Sequence, residues 1–342
     1  MTHPAPRPCV LALLLAALAA SAASAQQVED REKLAQTGFK FLSVAGDARA
    51  ASLSAAMTAR EGGAAMLFYN PAGMGWYEGS TDVQLSQTGW IADITHNHGA
   101  LAVRPAGGRF GVVGVSLSFV DYGDLQETIF ADTEQGFIDV GSFAPTAWAA
   151  GLGYAKAVTS RFSVGGQVKY ASQDLGAAIV GVGDGGGYMR EDVDEGTLAY
   201  DFGVHYKTGF ESLAFAVSAR NFAPEVTYAE ESFQLPLTLQ IGVAMDVLDL
   251  TGLDPGMHSL VVGVDASNPR DFSEQVKVGA EYLFLETLAL RAGYTFPTDE
   301  EGVSLGAGVR QALAGVGFGA DYSYTDFGVF SGVHRVAVRF QL

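Results

Sequence analysis

The chain has 342 residues, 48% of them hydrophobic and only 17% charged, with 43 glycines and a net charge of −18. Soluble domains carry about 25% charged residues, so this balance does not suit a protein whose whole surface meets water. The acidity excludes nucleic acid as a partner, because a polyphosphate needs a basic face.

Residues 1–25 contain Arg7, an apolar run from Val10 to Ala20, and Ala23-Ser24-Ala25 as a small-residue cleavage site. This is the pattern of a secretory signal peptide cut after Ala25. A membrane anchor needs roughly 20 apolar residues, and the run is shorter. Cys9 is the only cysteine; it precedes the run and leaves with the peptide, so the exported chain has no disulfide to order it. Beyond residue 25 no run of about 18 apolar residues occurs, which removes transmembrane helices. A soluble periplasmic protein or a β-barrel is left.

Residues 26–80 form the next unit. Its centre, residues 37–75, is rich in Gly and Ala, yet it has neither strand alternation nor a long helical face. It reads as a compact plug for a lumen, with Phe39, Phe41, Leu42, Arg49, Asn70 and Pro71 as its candidate contacts. An Asn before Pro favours a turn, and the Asn70 amide could bond backbone groups left unpaired inside a barrel.

Residues 81–342 read as the wall. From 198 to 207 the even positions are Leu198, Tyr200, Phe202, Val204 and Tyr206, whereas the odd ones include Asp201, His205 and Lys207. One face is apolar and the other polar, the period of a strand. The same split recurs over 274–284, where Lys277 and Glu281 are on the polar face, and at the end of the chain with Arg335 and Arg339. Fourteen such segments are predicted: 81–87, 98–104, 109–119, 147–157, 162–173, 196–207, 213–221, 237–247, 259–266, 274–283, 288–294, 303–310, 316–324 and 332–341. The long connections follow the first, third, fifth and seventh, and the others are mostly four or five residues, with 248–258 as an exception. Bacterial outer-membrane barrels show this asymmetry, together with aromatic residues at the ends of the apolar faces. The expected fold is all-β: a 14-stranded antiparallel transmembrane barrel around an N-terminal plug, facing outer-membrane lipid.

The polar motifs point away from catalysis. His96-Asn97-His98 has no third ligand at a recognisable spacing and reads as a polar loop tip. Residues 183–196 carry carboxylates without the ordered spacing of a calcium loop, and read as an acidic surface loop. No nucleophile elbow occurs, and nothing ties a serine to His205. No cofactor is implied and an enzyme is not expected. Asp201, His205, Lys207, Lys277, Glu281, Arg291, Arg335 and Arg339 are expected to form a lumen network that holds the plug and satisfies buried charge.

Phe41-Leu42-Ser43-Val44, Gly46-Asp47-Ala48-Arg49-Ala50 and Asn70-Pro71-Ala72-Gly73 resemble the amino-terminal signature of the PorV/PorQ family, within the FadL-like outer-membrane barrels. The resemblance continues through Asn221-Phe222-Ala223-Pro224, Leu235-Pro236, Leu290-Arg291-Ala292-Gly293-Tyr294 and His334-Arg335-Val336, nearly the whole exported chain. One departure is Leu53-Ser54-Ala55-Ala56, where the family has Met-Gly-Gly-Ala. The resemblance implies two functions. The first is a type IX secretion-associated protein that docks secretion components and cargo signal domains. The second is a FadL-like transporter of a hydrophobic small molecule. Long acidic segments at 120–146 and 174–195 suit docking, and inward faces of Gly, Ser and charge offer no evident apolar cavity, so the sequence favours the first.

Overall fold

The computed structural model describes residues 37–182, 187–228, 231–298 and 301–342; the signal peptide and its expected cleavage at Ala25 lie outside the described residues. The first half of the wall contains β1 (Thr81–Gly89), β2 (Thr95–Val103), β3 (Val112–Asp121), β4 (Leu125–Phe130), β5 (Phe137–Phe143), β6 (Thr146–Ala157), β7 (Phe162–Val182), β8 (Tyr188–Lys207) and β9 (Ala214–Phe222). The second half contains β10 (Val226–Tyr228), β11 (Glu231–Phe233), β12 (Thr238–Asp246), β13 (His258–Pro269), β14 (Gln275–Phe284), β15 (Leu288–Phe296), β16 (Val303–Leu313), β17 (Val316–Asp326) and β18 (Gly332–Gln341). Fourteen of these close into one antiparallel barrel in chain order, and β4–β5 and β10–β11 are separate two-stranded hairpins. The seam joins β1 to β18 from Asp82↔Gln341 to Gly89↔His334.

Alternation sets the two faces. On β3, Val113, Val115, Leu117 and Phe119 point outward and are exposed, whereas Ser116 and Ser118 point inward and are buried. Leu85, Leu152, Ile241, Leu290 and Leu305 repeat the outward pattern around the wall. An apolar band of this extent is untenable in water. It matches hydrocarbon, and a closed ladder pairs wall amides with one another without solvent.

Three segments depart from expectation. β2 begins at Thr95, so His96 and His98 stand on a strand with their rings buried in the lumen, and the loop-tip reading is wrong. The sequence there lacks apolar outward partners at its start, which hid the strand. The expected loop at 174–195 is mostly a ribbon, because β7 and β8 run for 21 and 20 residues and stay paired out to Val182↔Tyr188. Its outer half meets the β4–β5 hairpin, through Arg190 with Glu127 and Gly176 beside Phe143, so the simple apolar-out, polar-in period does not mark it. Within 120–146 the chain folds back as the β4–β5 hairpin.

Residues 37–80 lie inside the barrel as a series of short turns, with one helical turn at Ala48–Ala51. They reach the wall where it has no side chains. Gly114, Gly153, Gly165, Gly203, Gly242, Gly263, Gly279, Gly293 and Gly306, each on a different strand, face plug atoms at the position a Cβ would take. At Gly279 that Cβ would meet the Leu53 carbonyl oxygen at 2.6 Å, and at Gly165 the Ala72 nitrogen at 2.5 Å. Gly263, Gly279 and Gly293 are successive cross-strand partners, so the bare patch is continuous there. A methyl group at Gly279 must therefore displace the plug backbone, at about 1–3 kcal/mol of overpacking. Gly279→Ala is expected to assemble and to raise single-channel conductance in a planar bilayer. Gly319→Ala, where the nearest atom is 3.6 Å away, is expected to leave conductance unchanged.

Candidate functional site

The plug is fastened by wall carboxylates and carbonyls. Glu281, on β14, is the centre of the largest cluster. Its Oε1 accepts from Arg49 Nη2 at 2.8 Å and Arg60 Nη2 at 3.0 Å. Its Oε2 accepts from Arg49 Nε at 2.9 Å and Arg291 Nε at 2.5 Å, and Arg310 Nη2 approaches to 3.5 Å. Register puts Arg291 directly across from Glu281, and Arg291 passes a second bond to Asp321 at 2.7 Å. Two arginines thus come from the plug and two from the wall. Burial pulls the Arg60 guanidinium down to about 10, with Glu281 opposing the shift, so it remains charged at neutral pH. Asp47 of the plug caps the helical turn, accepts from Gln84 Nε2 at 2.5 Å, and is pushed up from the usual carboxylate range by burial first and by Asp321 second.

Smaller anchors surround this one. Asn70 Nδ2 donates to the Thr58 carbonyl at 2.7 Å and to the Val204 carbonyl of β8 at 3.3 Å, while its Oδ1 accepts from Ala72 N at 3.0 Å. Pro71 opens the following turn against Gly165. Asp265 accepts from Thr58 N at 2.9 Å, and Asp82 from Ala64 N at 3.0 Å and Arg339 Nε at 2.7 Å. Trp76 Nε1 donates to His205 Nδ1 at 2.9 Å; an indole only donates, so the imidazole proton is on Nε2, facing the Ala59 carbonyl at 3.1 Å. Lys207 pairs with Glu61 at 3.0 Å and stands 4.0 Å from the Trp76 ring centroid. Arg335 donates to the Ala45 carbonyl at 2.8 Å.

Two cavities lie at opposite ends of the plug. At the long-loop end a cavity of about 510 Å³ is walled by Trp90, Ile94, Tyr122, Phe272 and Phe327 with Phe41 of the plug, above a floor that includes His96, Arg220, Ser267 and Lys277. Phe39 and Phe41 are buried beside it, with Leu42 packed on the same cluster. At the short-turn end a polar cavity of about 680 Å³ is lined by Arg49, Arg310, Arg339, Asp47 and Asp321 among others. A small space of about 40 Å³ between Phe41, Phe68, Tyr69 and His98 separates them, room for little more than water. That space ends at Gly46 and Leu67, and the polar cavity begins at Asp47 and Met66.

The eight charged or polar wall residues expected to form one network therefore fall into separate groups. Glu281 and Arg291 share the main cluster. His205, Lys207 and Arg335 each hold a different part of the plug, and Arg339 pairs with Asp82 of β1, which in turn accepts from the plug amide of Ala64. Asp201 instead pairs with Lys169 at 2.8 Å and accepts from Asn221 N at 2.7 Å, where β9 bulges. Lys277 joins none of these contacts and faces the upper cavity. Sequence reasoning missed Arg60 and Arg310, and it missed Lys169, which stands in the inward register of β7. It also missed the aromatic mouth, since Trp90 and Phe327 come from connections with no period to read.

Removing one partner of a buried ionic cluster costs roughly 3–5 kcal/mol, and an unmade buried hydrogen bond about 1–3 kcal/mol. Glu281→Gln and Asn70→Ala are both expected to assemble and to show raised single-channel conductance, with the larger rise for Glu281→Gln. Silent channels from both would mean that the plug does not close the lumen.

No protein-family model matches the sequence, and no curated protein matches it. Solved structures do. The Pseudomonas putida toluene transporter TodX aligns with a TM-score of 0.58 at 13% identity, over 87% of this chain and 98% of that one. The Ralstonia pickettii toluene transporter TbuX gives 0.55 at 14%, over 88% and 98%. A Pseudomonas aeruginosa FadL homologue gives 0.52 at 13%, over 86% and 97%. Identity at this level speaks to architecture, and the architecture is that of the FadL-like 14-stranded barrels.

Proposed function

We propose that the chain is an outer-membrane channel that admits hydrophobic small molecules, with the aromatic cavity as its point of entry and the plug as its closure. The observation that carries this reading is the cavity itself. Its volume suits a small ligand, about half of its lining residues are aromatic or aliphatic, and polar and charged groups make up the rest. The apolar outer band supports a place in a bilayer. The similar structures include two toluene transporters and a monoaromatic hydrocarbon channel, CymD.

This reverses the order of the two readings drawn from the sequence. The case against a transporter was the lack of apolar inward faces on the strands, and the cavity is built from connections and plug instead. The secretion-associated reading rests on the PorV/PorQ resemblance and on the acidic segments at 120–146 and 174–195.

Expression in a bacterial host lacking its own hydrocarbon channels tests the proposal. The protein is expected in the detergent-extracted outer-membrane fraction, running faster unheated than boiled, and toluene uptake should rise several-fold over the empty host. Phe327→Asp, which puts a charge in the apolar wall, should return uptake to the empty-host level. Recovery in the soluble periplasmic fraction would refute the membrane location. Unchanged toluene uptake together with co-purification of signal-domain cargo would favour the secretion-associated reading.

A further inference from the structure

The floor of the entry cavity holds two cations whose bonding capacity the protein does not use. Lys277 projects inward from β14 and makes no hydrogen bond or ion pair with any described residue. Asp265 is its direct cross-strand partner, but that carboxylate turns one oxygen to the Thr58 amide at 2.9 Å and makes no hydrogen bond to Lys277. Arg220, on β9, donates from Nη1 to the Phe68 carbonyl, and its Nε has no partner. The remaining charges at the cavity do not fill the gap. Lys40 is paired with Asp271, and Glu301 lines the cavity without a hydrogen bond to either cation. A buried cation with donors left unused in a space walled by rings is costly, so the site favours a ligand that brings anionic acceptor oxygens to Lys277 and Arg220.

The walls specify the rest of that ligand. Trp90 stands edge-on to Phe327 at 4.9 Å and 73°, and to His96 at 5.8 Å and 69°. A further ring can extend this row in the edge-to-face or offset geometry that aromatic quadrupoles prefer. The cavity volume of about 510 Å³ holds a single substituted ring with its head group. Building on the channel reading above, we propose that the cavity selects single-ring aromatic carboxylates, with the ring against Trp90 and Phe327 and the carboxylate between Lys277 and Arg220. Neutral hydrocarbons of the same size fill the same walls but leave both cations unpaired.

The test uses the full-length protein in lipid nanodiscs, with radiolabelled benzoate, toluene and hexadecanoate in equilibrium dialysis. Benzoate is expected to bind about tenfold more tightly than toluene, a difference of about 1.4 kcal/mol. Lys277→Met should bring the benzoate-to-toluene ratio close to one, and Lys277→Arg should restore it, with the heat-dependent gel shift confirming that each variant is folded. Equal binding of benzoate and toluene, or a ratio unchanged in Lys277→Met, overturns the selection for acids and leaves the hydrophobic channel standing. Hexadecanoate binding as tightly as benzoate overturns the single-ring assignment. No binding of any of the three overturns the channel reading as well.

Discussion

The plug rests against bare backbone, and the rest of the molecule follows from that contact. A closed wall spends its amides and carbonyls on its own ladder, so a chain inside it can be held only by inward side chains or by direct approach to the strands. Approach requires glycine. Residues such as Gly165, Gly279 and Gly293 let the turns at Pro71 and Leu53 sit on the wall itself. The high glycine content of the sequence is therefore a packing feature at these positions, and the polar anchors work at short range because the glycines bring plug and wall together.

Those anchors divide into kinds that behave differently. Asn70, Asp265 and Asp82 satisfy plug amides and carbonyls that have no water to turn to. Each removes a desolvation penalty more than it adds attraction. The Glu281 cluster is ionic, and ion clusters of this type contribute modestly to stability when intact yet are damaging when broken. Its geometry ties two plug turns, through Arg49 and Arg60, to strands β14, β15 and β16 at once. The cluster fixes where the plug sits, and the glycine contacts fix how closely.

The wall was legible in the sequence because a strand exposed to lipid on one face and a polar lumen on the other writes its register in every second residue. Val336 and Val338 could be assigned outward and Arg335 inward without a structure. The same period failed wherever one of the two environments was missing. The outer halves of β7 and β8 pack in part against the β4–β5 hairpin, through Phe143 beside Gly176 and Glu127 with Arg190, and the start of β2 carries His96 and His98 without an apolar outward run. The cavity was illegible for a related reason: Trp90, Phe272 and Phe327 occupy connections, where exposure is set by tertiary packing and leaves no period. Lys277 lines the cavity from the inner face of β14. Its separation from the plug network depends on side-chain direction, which register alone does not determine.

The seam between β1 and β18 has a kinetic consequence. Every other junction in the wall joins strands that are consecutive in the chain, or separated only by the β4–β5 or the β10–β11 hairpin, so those pairings close much shorter loops. Thr81 and Leu342 are hydrogen-bonded partners from opposite ends of the wall. Bringing them together is the one large loss of chain entropy in assembly, although its cost grows only with the logarithm of the loop length. Because the plug precedes β1, it must already lie between the sheet edges when they meet. A plug that is late or misfolded would then be shut out or would hold the seam open, so the timing of closure depends on the folding of a segment that contributes no strand to the wall.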